Sequence, residues 1–380
     1  MLIRSKRVWT ANQFLACIIE VESKQIKRIM PYDENIKVDY DFGNNRVLPG
    51  FIDVHTHGAV GFDTNDANEQ GLRTWTKYLP SEGVTAFCPT TVTQTEEVLT
   101  KASENVIKVR KEGYEGATIL GINFEGPFLN VKHKGAQPEH CIVKPDIEKF
   151  NRFQKASDGL LLIITLAVEK DTDYEMTREL SKNGVIISVG HSAATYEETV
   201  MAFANGARLM THTFNGMTGL HQRMAGQVGA SMRVRDTFAE IICDGIHVKP
   251  EVLNVYFNSK GASHAVMVSD SISAKACGEG EYYLGGERVF ISPDGSVHRA
   301  SGTLAGSTLR IIDALKISVV DALIPFDAAI NACTLNPARL LRIDDRKGMI
   351  RANYDADIVI IDDSYNVLKT MVMGKFEYSK

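Results

Sequence analysis

Short apolar runs rich in β-branched residues recur along most of this chain, and stretches compatible with helix separate them. Leu161 to Ile164 and Val185 to Ile187 are continuously apolar, which is typical of strands that are buried on both faces. Strands that alternate with helices in this way form a parallel sheet, and about eight of them close into a barrel. The pattern therefore predicts an α/β fold, a TIM-like (β/α)8 barrel.

Eight runs are assigned to the barrel. They are Val47 to His57, Thr85 to Val92, Ala117 to Gly126, Leu160 to Glu169, Gly184 to His191, Ala207 to Asn215, Phe238 to His247 and His264 to Ser271.

The two ends of the chain have a different pattern. Residues 1–46 and 346–380 contain short alternating strands such as Ile18 to Glu22 and Asp357 to Asp362, with turn residues and little helix. We expect these two segments to pair into a small β-sandwich domain built from both chain ends. The predicted division is therefore a small β domain over 1–46 and 346–380 and a barrel over 47–345.

Composition excludes several classes of protein. The 380 residues are 44% hydrophobic, which is enough for one large core and a smaller one. The net charge of -5 offers no basic field for nucleic acid. The most apolar run, Gly159 to Val168, is too short to cross a bilayer, so no membrane association is expected.

The six cysteines are scattered and form no Cys-x-x-Cys motif. In a chain of this size without a signal peptide, such cysteines are expected to be reduced core thiols. This expectation favours the cytoplasm. The cysteines are Cys17, Cys88, Cys141, Cys243, Cys277 and Cys333.

The ends of the predicted strands carry imidazoles and carboxylates. His55 and His57 end the first strand, and side chains two residues apart on a strand point to the same side. Taken alone, this pair fits two polar side chains at a strand end as well as it fits a metal site. The later strands end in Glu125, His191, His212, Asp244, His247 and Asp270. Since the carboxyl ends of barrel strands meet at one rim, the set favours a metal site.

Imidazole and carboxylate ligands suit zinc, iron, manganese or cobalt. The set contains no thiolate, which argues against a closed structural zinc site and for an open catalytic one. A divalent ion there would lower the pKa of bound water from ~15.7 towards ~7. Asp270, at the end of the last strand, is suited to move the proton.

Six motifs in this order resemble the amidohydrolase superfamily and, in their finer pattern, its N-acetylglucosamine-6-phosphate deacetylase family, across nearly the whole chain. They are Pro49-Gly50-Phe51-Ile52-Asp53-Val54-His55-Thr56-His57-Gly58, Glu125-Gly126-Pro127-Phe128, Gly190-His191-Ser192, Thr211-His212-Thr213-Phe214-Asn215-Gly216-Met217, Asp244-Gly245-Ile246-His247-Val248 and Ser269-Asp270.

The resemblance implies a metal site with an optional second part. It implies that Glu125, His191 and His212 bind the catalytic metal. Some family members keep the histidine pair of the first strand and hold a second ion there, and others replace both residues. This sequence keeps His55 and His57. The expected cofactor is therefore one or two divalent ions per subunit, of zinc, iron, manganese or cobalt.

The resemblance also implies the substrate site. Asp270 is the implied acid/base. The residues that line the sugar site are Ala136, Gln137, Asn215 and Gly216, and those that contact the sugar phosphate are His247 and Arg223. In the family the arginine that matches Arg223 comes from the neighbouring subunit, so a homodimer is implied. Taken from its own loop alone, the alternative for Arg223 is an ordinary surface arginine.

The implied reaction is hydrolysis of the acetamide of N-acetyl-D-glucosamine 6-phosphate, which gives D-glucosamine 6-phosphate and acetate in amino sugar catabolism. The partner is an amino sugar phosphate substrate. One alternative is a deacetylase for a related substrate such as N-acetylgalactosamine 6-phosphate, because the contacts to C4 are not readable in the sequence. Another is a scaffold protein that has kept the barrel and lost catalysis.

Overall fold

The structure is a computed structural model, and it describes residues 1–278 and 280–380. It confirms the predicted barrel, in which eight parallel strands follow one another around the ring. The barrel strands, numbered one to eight in chain order, are Phe51–Thr56, Val84–Val92, Ile122–Glu125, Leu161–Leu166, Ile186–Val189, Leu209–Met210, Phe238–Ile242 and Ala265–Val268. A short strand, Thr118–Ile119, also pairs with barrel strand two.

Hydrogen bonds close the ring between its first and last strands. The Asp270 N–H donates to the His55 carbonyl (2.9 Å), and the His57 N–H donates to the Ser271 carbonyl (2.8 Å). Beneath them, the buried Asp53 accepts a hydrogen bond from the Ser269 hydroxyl (2.6 Å). Barrel strands one and eight are therefore fixed against each other at the level where their functional side chains emerge.

Helices alternate with the barrel strands along the chain. The α-helices are Glu69–Tyr78, Glu96–Glu112, Ile147–Ala156, Glu175–Lys182, Tyr196–Ala204, Gly226–Arg233, Pro250–Lys260, Ile311–Val320, Phe326–Cys333 and Leu335–Leu340. The short 3-10 helices are Thr64–Asp66, Leu79–Glu82, Val131–His133, Glu139–Cys141, Val168–Lys170 and Thr172–Tyr174. Within the part of the chain that the structure describes, no helix has the length and apolar character needed to span a bilayer.

The two ends of the chain form one mixed sheet. Its strands, in order across the sheet, are Lys375–Ser379, Val367–Val372, Ile358–Ile361, Arg46–Pro49, Leu2–Thr10, Gln13–Glu22 and Gln25–Pro31, with Tyr40–Asp41 beside Leu2–Thr10. Side chains from the two ends of this sheet share one buried core. Ile19 and Ile26 come from one end, and Ile358 and Met371 come from strands towards the other. The predicted small β domain is thus a continuous sheet that curls around its own core. Its division from the barrel at residues 46/47 and 345/346 stays a prediction.

The first predicted run is divided between the two parts of the molecule. Arg46–Pro49 pairs with Ile358–Ile361 in the terminal sheet, and the barrel strand begins at Phe51. The division falls at Gly50, where a Cβ atom would lie 2.2 Å from the Thr85 hydroxyl oxygen. A glycine is required there because the chain passes against the second barrel strand as it changes sheets.

The structure also contains elements that the sequence pattern did not predict. A three-stranded antiparallel sheet follows the eighth barrel strand and comprises Gly280–Leu284, Glu287–Ile291 and Val297–Arg299. Its buried side chains pack with Ala136, Ile272 and Ala305 in a separate small core. A two-stranded hairpin, Gly58–Ala59 and Phe62–Asp63, follows the first barrel strand.

A buried ion pair joins two segments beside the barrel. Lys275 Nζ lies 2.6 Å from Glu82 Oε1, and both side chains are fully buried. Burial raises the pKa of Glu82 to about 7 even though Lys275 favours the charged form. Removing the lysine alone would leave a buried carboxylate without its counter-charge.

We expect Lys275→Met to lower the free energy of unfolding by about 3–5 kcal/mol, because Glu82 loses its buried counter-charge and must either stay ionised without compensation or take up a proton to fold. Urea unfolding followed by circular dichroism measures the change. The control is Lys275→Met combined with Glu82→Leu, which removes both charges and should recover most of the loss. Equal destabilisation in the single and double variants would contradict this account of the pair.

Candidate metal centre and active site

The residues predicted at the strand ends lie together at one rim of the barrel. Glu125 ends barrel strand three, and His191 and His212 follow strands five and six. His55 lies near the end of strand one, and Asp270 follows strand eight. Each of these side chains is buried. The parallel strands bring them together because all of their carboxyl ends face the same way.

The Glu125 carboxylate lies at the centre of this cluster. Its Oε1 is 2.9 Å from His191 Nε2 and 2.8 Å from His212 Nε2. Its Oε2 is 3.4 Å from His57 Nε2, and His55 Nε2 is 3.6 Å from Oε1. One carboxylate therefore contacts both the strand-one pair and the pair from strands five and six.

Two groups with the spacing of metal ligands share this carboxylate. One consists of His55, His57 and Glu125, and the other of Glu125, His191 and His212, and within each group the ligand atoms lie within 4.8 Å of one another. His191 Nε2 and His212 Nε2 are 3.2 Å apart. The buried His55 Nε2 has no hydrogen-bond partner among the described residues. Converging ring nitrogens and an orphaned buried nitrogen are what a divalent cation would satisfy.

Hydrogen bonds on the far side of three rings fix their orientation. His55 Nδ1 lies 2.8 Å from Glu240 Oε2, and His191 Nδ1 lies 2.8 Å from the His133 carbonyl. His57 Nδ1 lies 3.2 Å from the Thr90 carbonyl. Each acceptor favours a proton on Nδ1, so the Nε2 lone pair faces the cluster. Metal-ligating histidines characteristically have such partners.

Glu240 is a functional candidate that the strand-end search missed. It lies inside barrel strand seven, fully buried, and its Oε2 also accepts the His212 backbone N–H at 3.1 Å. It thus contacts a histidine from each of the two ligand groups. The signal in the sequence was a single carboxylate within the apolar run Phe238 to Ile242, where an uncompensated charge would be costly.

Asp270 faces the histidine pair. Its Oδ1 lies 3.1 Å from His57 Nε2 and 3.6 Å from His55 Nε2. Its backbone φ is 49°, and those of His191 and His212 are 45° and 23°. Non-glycine residues in this left-handed region cost about 1–3 kcal/mol each and cluster at functional sites. The backbone is therefore strained where it aims these three side chains.

The charges of the cluster stabilise one another. Burial disfavours the ionised Glu125, but His191, His212 and His55 outweigh it and hold the carboxyl pKa well below its usual value. Burial likewise disfavours a charged His55, but the Glu240, Asp270 and Glu125 carboxylates raise the pKa of its ring to about 10. Burial opposes ionisation of Asp270, and the contact with His57 lowers its pKa. The Glu125 and Asp270 carboxylates are thus ionised at neutral pH, as cation ligands must be, and a bound cation would take the place of the second proton on the His55 ring.

A cavity of about 440 Å³ opens beside the cluster. The predicted sugar-site residues Ala136, Gln137, Asn215 and Gly216 line it together with His247 and Asp270. At Gly216, where φ is 60°, a Cβ atom would lie 3.0 Å from His191 Nδ1. Only glycine fits that position without displacing the ring.

Two of the lining residues have further contacts. Gln137 donates from Nε2 to Glu125 Oε2 and accepts the Thr93 N–H at 2.8 Å, so it also supports the central carboxylate. His247 Nδ1 lies 2.6 Å from Asp244 Oδ2, which leaves Nε2 for the cavity. Asp244, predicted only as one of the residues at the strand ends, thus holds the His247 ring and belongs to neither group of possible metal ligands.

Arg223 is a predicted site residue that lies away from both the metal cluster and this cavity. Its side chain is exposed on a loop in which His221 and Met224 form an isolated bridge. Leu220 and Met224 on the same loop are 55% and 71% exposed. Within this single chain, the loop does not bring the guanidinium into the cavity.

The segment after the eighth barrel strand forms another wall of the cavity. Leu284 from the three-stranded sheet and residues Gly302 to Gly306 line it. The Arg299 guanidinium donates to the Gly135 carbonyl at 3.2 Å and thereby ties this sheet to the loop that carries Ala136. The sequence pattern gave no reason to place this segment near the site, because its contacts are made across the barrel rim.

Comparison with known proteins gives a consistent result. The amidohydrolase family model matches residues 46–376. N-acetylglucosamine-6-phosphate deacetylase of Bacillus subtilis is 34% identical over 92% of this chain and 88% of its own length. The enzyme of that name from Vibrio furnissii is 34% identical over 99% of this chain and 94% of its own length. N-acetylgalactosamine-6-phosphate deacetylase of Escherichia coli O157:H7 is 33% identical over 87% of both chains.

Solved structures agree. A mutant N-acetyl-D-glucosamine-6-phosphate deacetylase from Mycobacterium smegmatis, in complex with N-acetyl-D-glucosamine-6-phosphate, superposes with a TM-score of 0.94 at 26% identity, covering 100% of this chain and 99% of that one. N-acetylglucosamine-6-phosphate deacetylase from Pasteurella multocida gives 0.92 at 27% identity and covers 100% of both chains. The chain therefore belongs to the amidohydrolase family and, within it, to the group of the N-acetylglucosamine-6-phosphate deacetylases.

Proposed function

We propose that this protein is a metal-dependent hydrolase that removes the acetyl group from N-acetyl-D-glucosamine 6-phosphate, giving D-glucosamine 6-phosphate and acetate in amino sugar catabolism. The observation that carries this proposal is the Glu125 carboxylate among four converging imidazoles, with Asp270 beside it and a cavity in front. The named activity of the relatives in this group is the same reaction.

The proposal assigns the metal ligands in two groups. Glu125, His191 and His212 would hold the catalytic ion, and His55 and His57, together with the same Glu125, would hold a second ion. Zinc, iron, manganese and cobalt all accept these donors. When bound, such an ion supplies Lewis acidity and makes water a stronger acid near neutral pH.

Asp270 is the proposed acid/base. Its carboxylate is ionised and lies at the edge of the cavity, so it can take a proton from the attacking water. It then delivers that proton to the nitrogen of the departing amine. The hydrogen bond from the Asp270 N–H to the His55 carbonyl keeps the carboxylate at a fixed place between the strand-one pair and the substrate.

The remaining cavity residues position the sugar. Ala136, Gln137, Asn215 and Gly216 form the proposed sugar site, and His247 the proposed phosphate contact within the same chain. The Asp244 carboxylate holds the His247 ring, which limits the motion of Nε2. A ring held in this way orients the substrate without taking part in bond cleavage.

We further propose that Arg223 completes the phosphate site of a neighbouring subunit in a homodimer. The arginine is exposed and lies outside the cavity of its own chain. The exposed Leu220 and Met224 beside it supply apolar surface of the kind that subunits bury. A guanidinium is suited to phosphate because its donors form a planar fork.

The proposed location is the cytoplasm. All six cysteines are free, which agrees with a reducing compartment. Five of them are buried as expected, whereas Cys277 is exposed because it follows the eighth barrel strand on an outer turn.

The alternative substrate for the same reaction is N-acetylgalactosamine 6-phosphate. The N-acetylgalactosamine-6-phosphate deacetylase of Escherichia coli O157:H7 has nearly the same identity to this chain as the glucosamine enzymes. The two substrates are epimers at C4 and share the acetamide and the phosphate. Hydrolysis of either epimer by the protein would distinguish an enzyme from a scaffold protein that has lost catalysis.

Acetate release from both epimers tests the proposed function. We expect the metal-loaded protein to have a higher kcat/KM for N-acetyl-D-glucosamine 6-phosphate than for the galactosamine epimer. Asp270→Asn keeps the shape of the side chain but cannot accept the proton, so its kcat should fall about 10²- to 10⁴-fold. Metal content measured on the same samples is the control. Bound metal with no acetate from either epimer, or an Asp270→Asn variant with full turnover, would contradict the proposal.

The histidine pair can be tested by metal content. The double variant His55→Asn with His57→Asn should bind the second ion more weakly or not at all. The group of Glu125, His191 and His212 should keep the other ion. Elemental analysis of protein purified without added metal measures ions per subunit. His140→Asn, in an exposed position, is the matched control. Loss of all metal in the double variant would show that the two groups do not bind separately.

Mixed dimers test the position of Arg223. Arg223→Ala should raise KM more than it lowers kcat, because the arginine only positions the phosphate. When Arg223→Ala and Asp270→Asn subunits are refolded together, half of the dimers are hybrids, and each hybrid has one site with both groups intact. The mixture should then regain about a quarter of the wild-type rate at low substrate concentration. No recovery above the two parent variants would place Arg223 in its own subunit's site.

A further inference from the structure

A second polar cavity lies at the opposite end of the barrel from the metal cluster. Arg208, Phe238 and His264 line it, and each lies at or just before the start of a barrel strand, whereas the metal cluster follows the strand ends. Arg339 and Arg342, from the last helix and the turn after it, form another wall. The cavity has a volume of about 560 Å³ and is open to solvent.

One backbone carbonyl fixes the Arg208 guanidinium beside the turn that carries Arg342. The carbonyl of Arg339 accepts a hydrogen bond from the Arg208 guanidinium (3.4 Å) and another from the backbone N–H of Arg342 (3.1 Å). Burial and then the charge of Arg342 lower the pKa of Arg208. The like charges are thus close enough to repel each other.

Carboxylates compensate this charge incompletely. Arg339 Nε lies 4.0 Å from Asp344 Oδ2, at the limit of an ion pair, and Asp236 lines the same cavity. Among the described residues, neither Arg208 nor Arg342 has a carboxylate oxygen within 4.0 Å. Two guanidinium groups in one cavity therefore keep donors that the protein itself does not satisfy with an anion.

The cavity is also held in shape before any ligand arrives. Arg208 Cζ lies 5.3 Å from the centre of the Phe238 ring, which fixes the guanidinium by a cation-π contact. The Phe238 ring lies 4.8 Å from that of His264. Arg342 has a φ of 58°, a strained backbone that directs the chain around the cavity. Preorganised donors reduce the ordering cost of binding.

We propose that this cavity binds a small phosphate monoester or inorganic phosphate, at a site separate from the substrate site. Two guanidinium forks can donate to a tetrahedral dianion from two sides, and the Phe203 and Phe238 rings that also line the cavity contact the apolar side of an attached group. A bound dianion would also offset the repulsion between Arg208 and Arg342.

Calorimetric titration with inorganic phosphate at constant ionic strength tests this proposal. His247→Ala serves as the background, because it removes the proposed phosphate contact within the substrate site. In that background we expect phosphate binding to persist, and Arg208→Gln with Arg342→Gly to weaken it by about tenfold or more, as expected for the loss of charged hydrogen bonds. The matched control is Arg110→Gln with Arg351→Gln, which removes two exposed arginines elsewhere and should leave the affinity unchanged.

Further arms of the titration define the ligand. Glucose 6-phosphate in place of phosphate tests a sugar monoester, and sodium chloride at the same ionic strength tests a purely ionic effect. Arg342→Gly alone keeps the proposal testable if the Arg208 change impairs folding, because glycine adopts a φ of 58° without strain. Absence of phosphate binding in the His247→Ala background, or equal affinities in the double variant and its control, would overturn the proposal. A chloride response equal to that of phosphate would do the same.

Discussion

The site depends on one carboxylate that four barrel strands bring together with four imidazoles. Glu125 contacts His191 and His212 through one oxygen and His57 through the other, with His55 at slightly longer range, and Asp270 faces the histidine pair. No short segment of the chain contains this set, so it exists only when the barrel is closed. The closure between strands one and eight is therefore part of the chemistry as well as of the fold. A change that loosens that seam would move the histidine pair relative to Glu125.

The part of this arrangement that follows from chain direction was predictable. Parallel strands place their carboxyl ends at one rim, so the residues at the ends of successive apolar runs had to be neighbours. Glu240 was missed because it lies within a strand and acts through His55 and His212. The sheet that carries Leu284 was missed because its place at the cavity depends on contacts between distant segments. Gly50 was read as part of a single strand, since only the approach of Thr85 shows that the chain changes sheets there.

The two ends of the barrel have opposite electrostatic character. At the carboxyl end, Glu125, Glu240 and Asp270 are buried beside histidines that can give up their protons to a cation. At the amino end, arginines surround a cavity whose carboxylates compensate them incompletely. The apolar barrel interior separates these two regions, so the excess charge of one does not neutralise that of the other.

The terminal sheet is linked to the first barrel strand by one continuous stretch of chain, in which Arg46–Pro49 leads into Phe51–Thr56. The position of the histidine pair therefore depends on the terminal sheet. The strand that carries His55 extends directly out of the terminal sheet, where Ile358–Ile361 holds its first half by antiparallel pairing. Two segments more than 300 residues apart in sequence thus pair and hold in place the strand that leads to the histidine pair. The carboxyl-terminal strands contribute no side chain to the metal centre. Proteolytic cleavage near them, or a bulky tag fused there, would nevertheless disturb the metal centre by displacing the strand that carries His55.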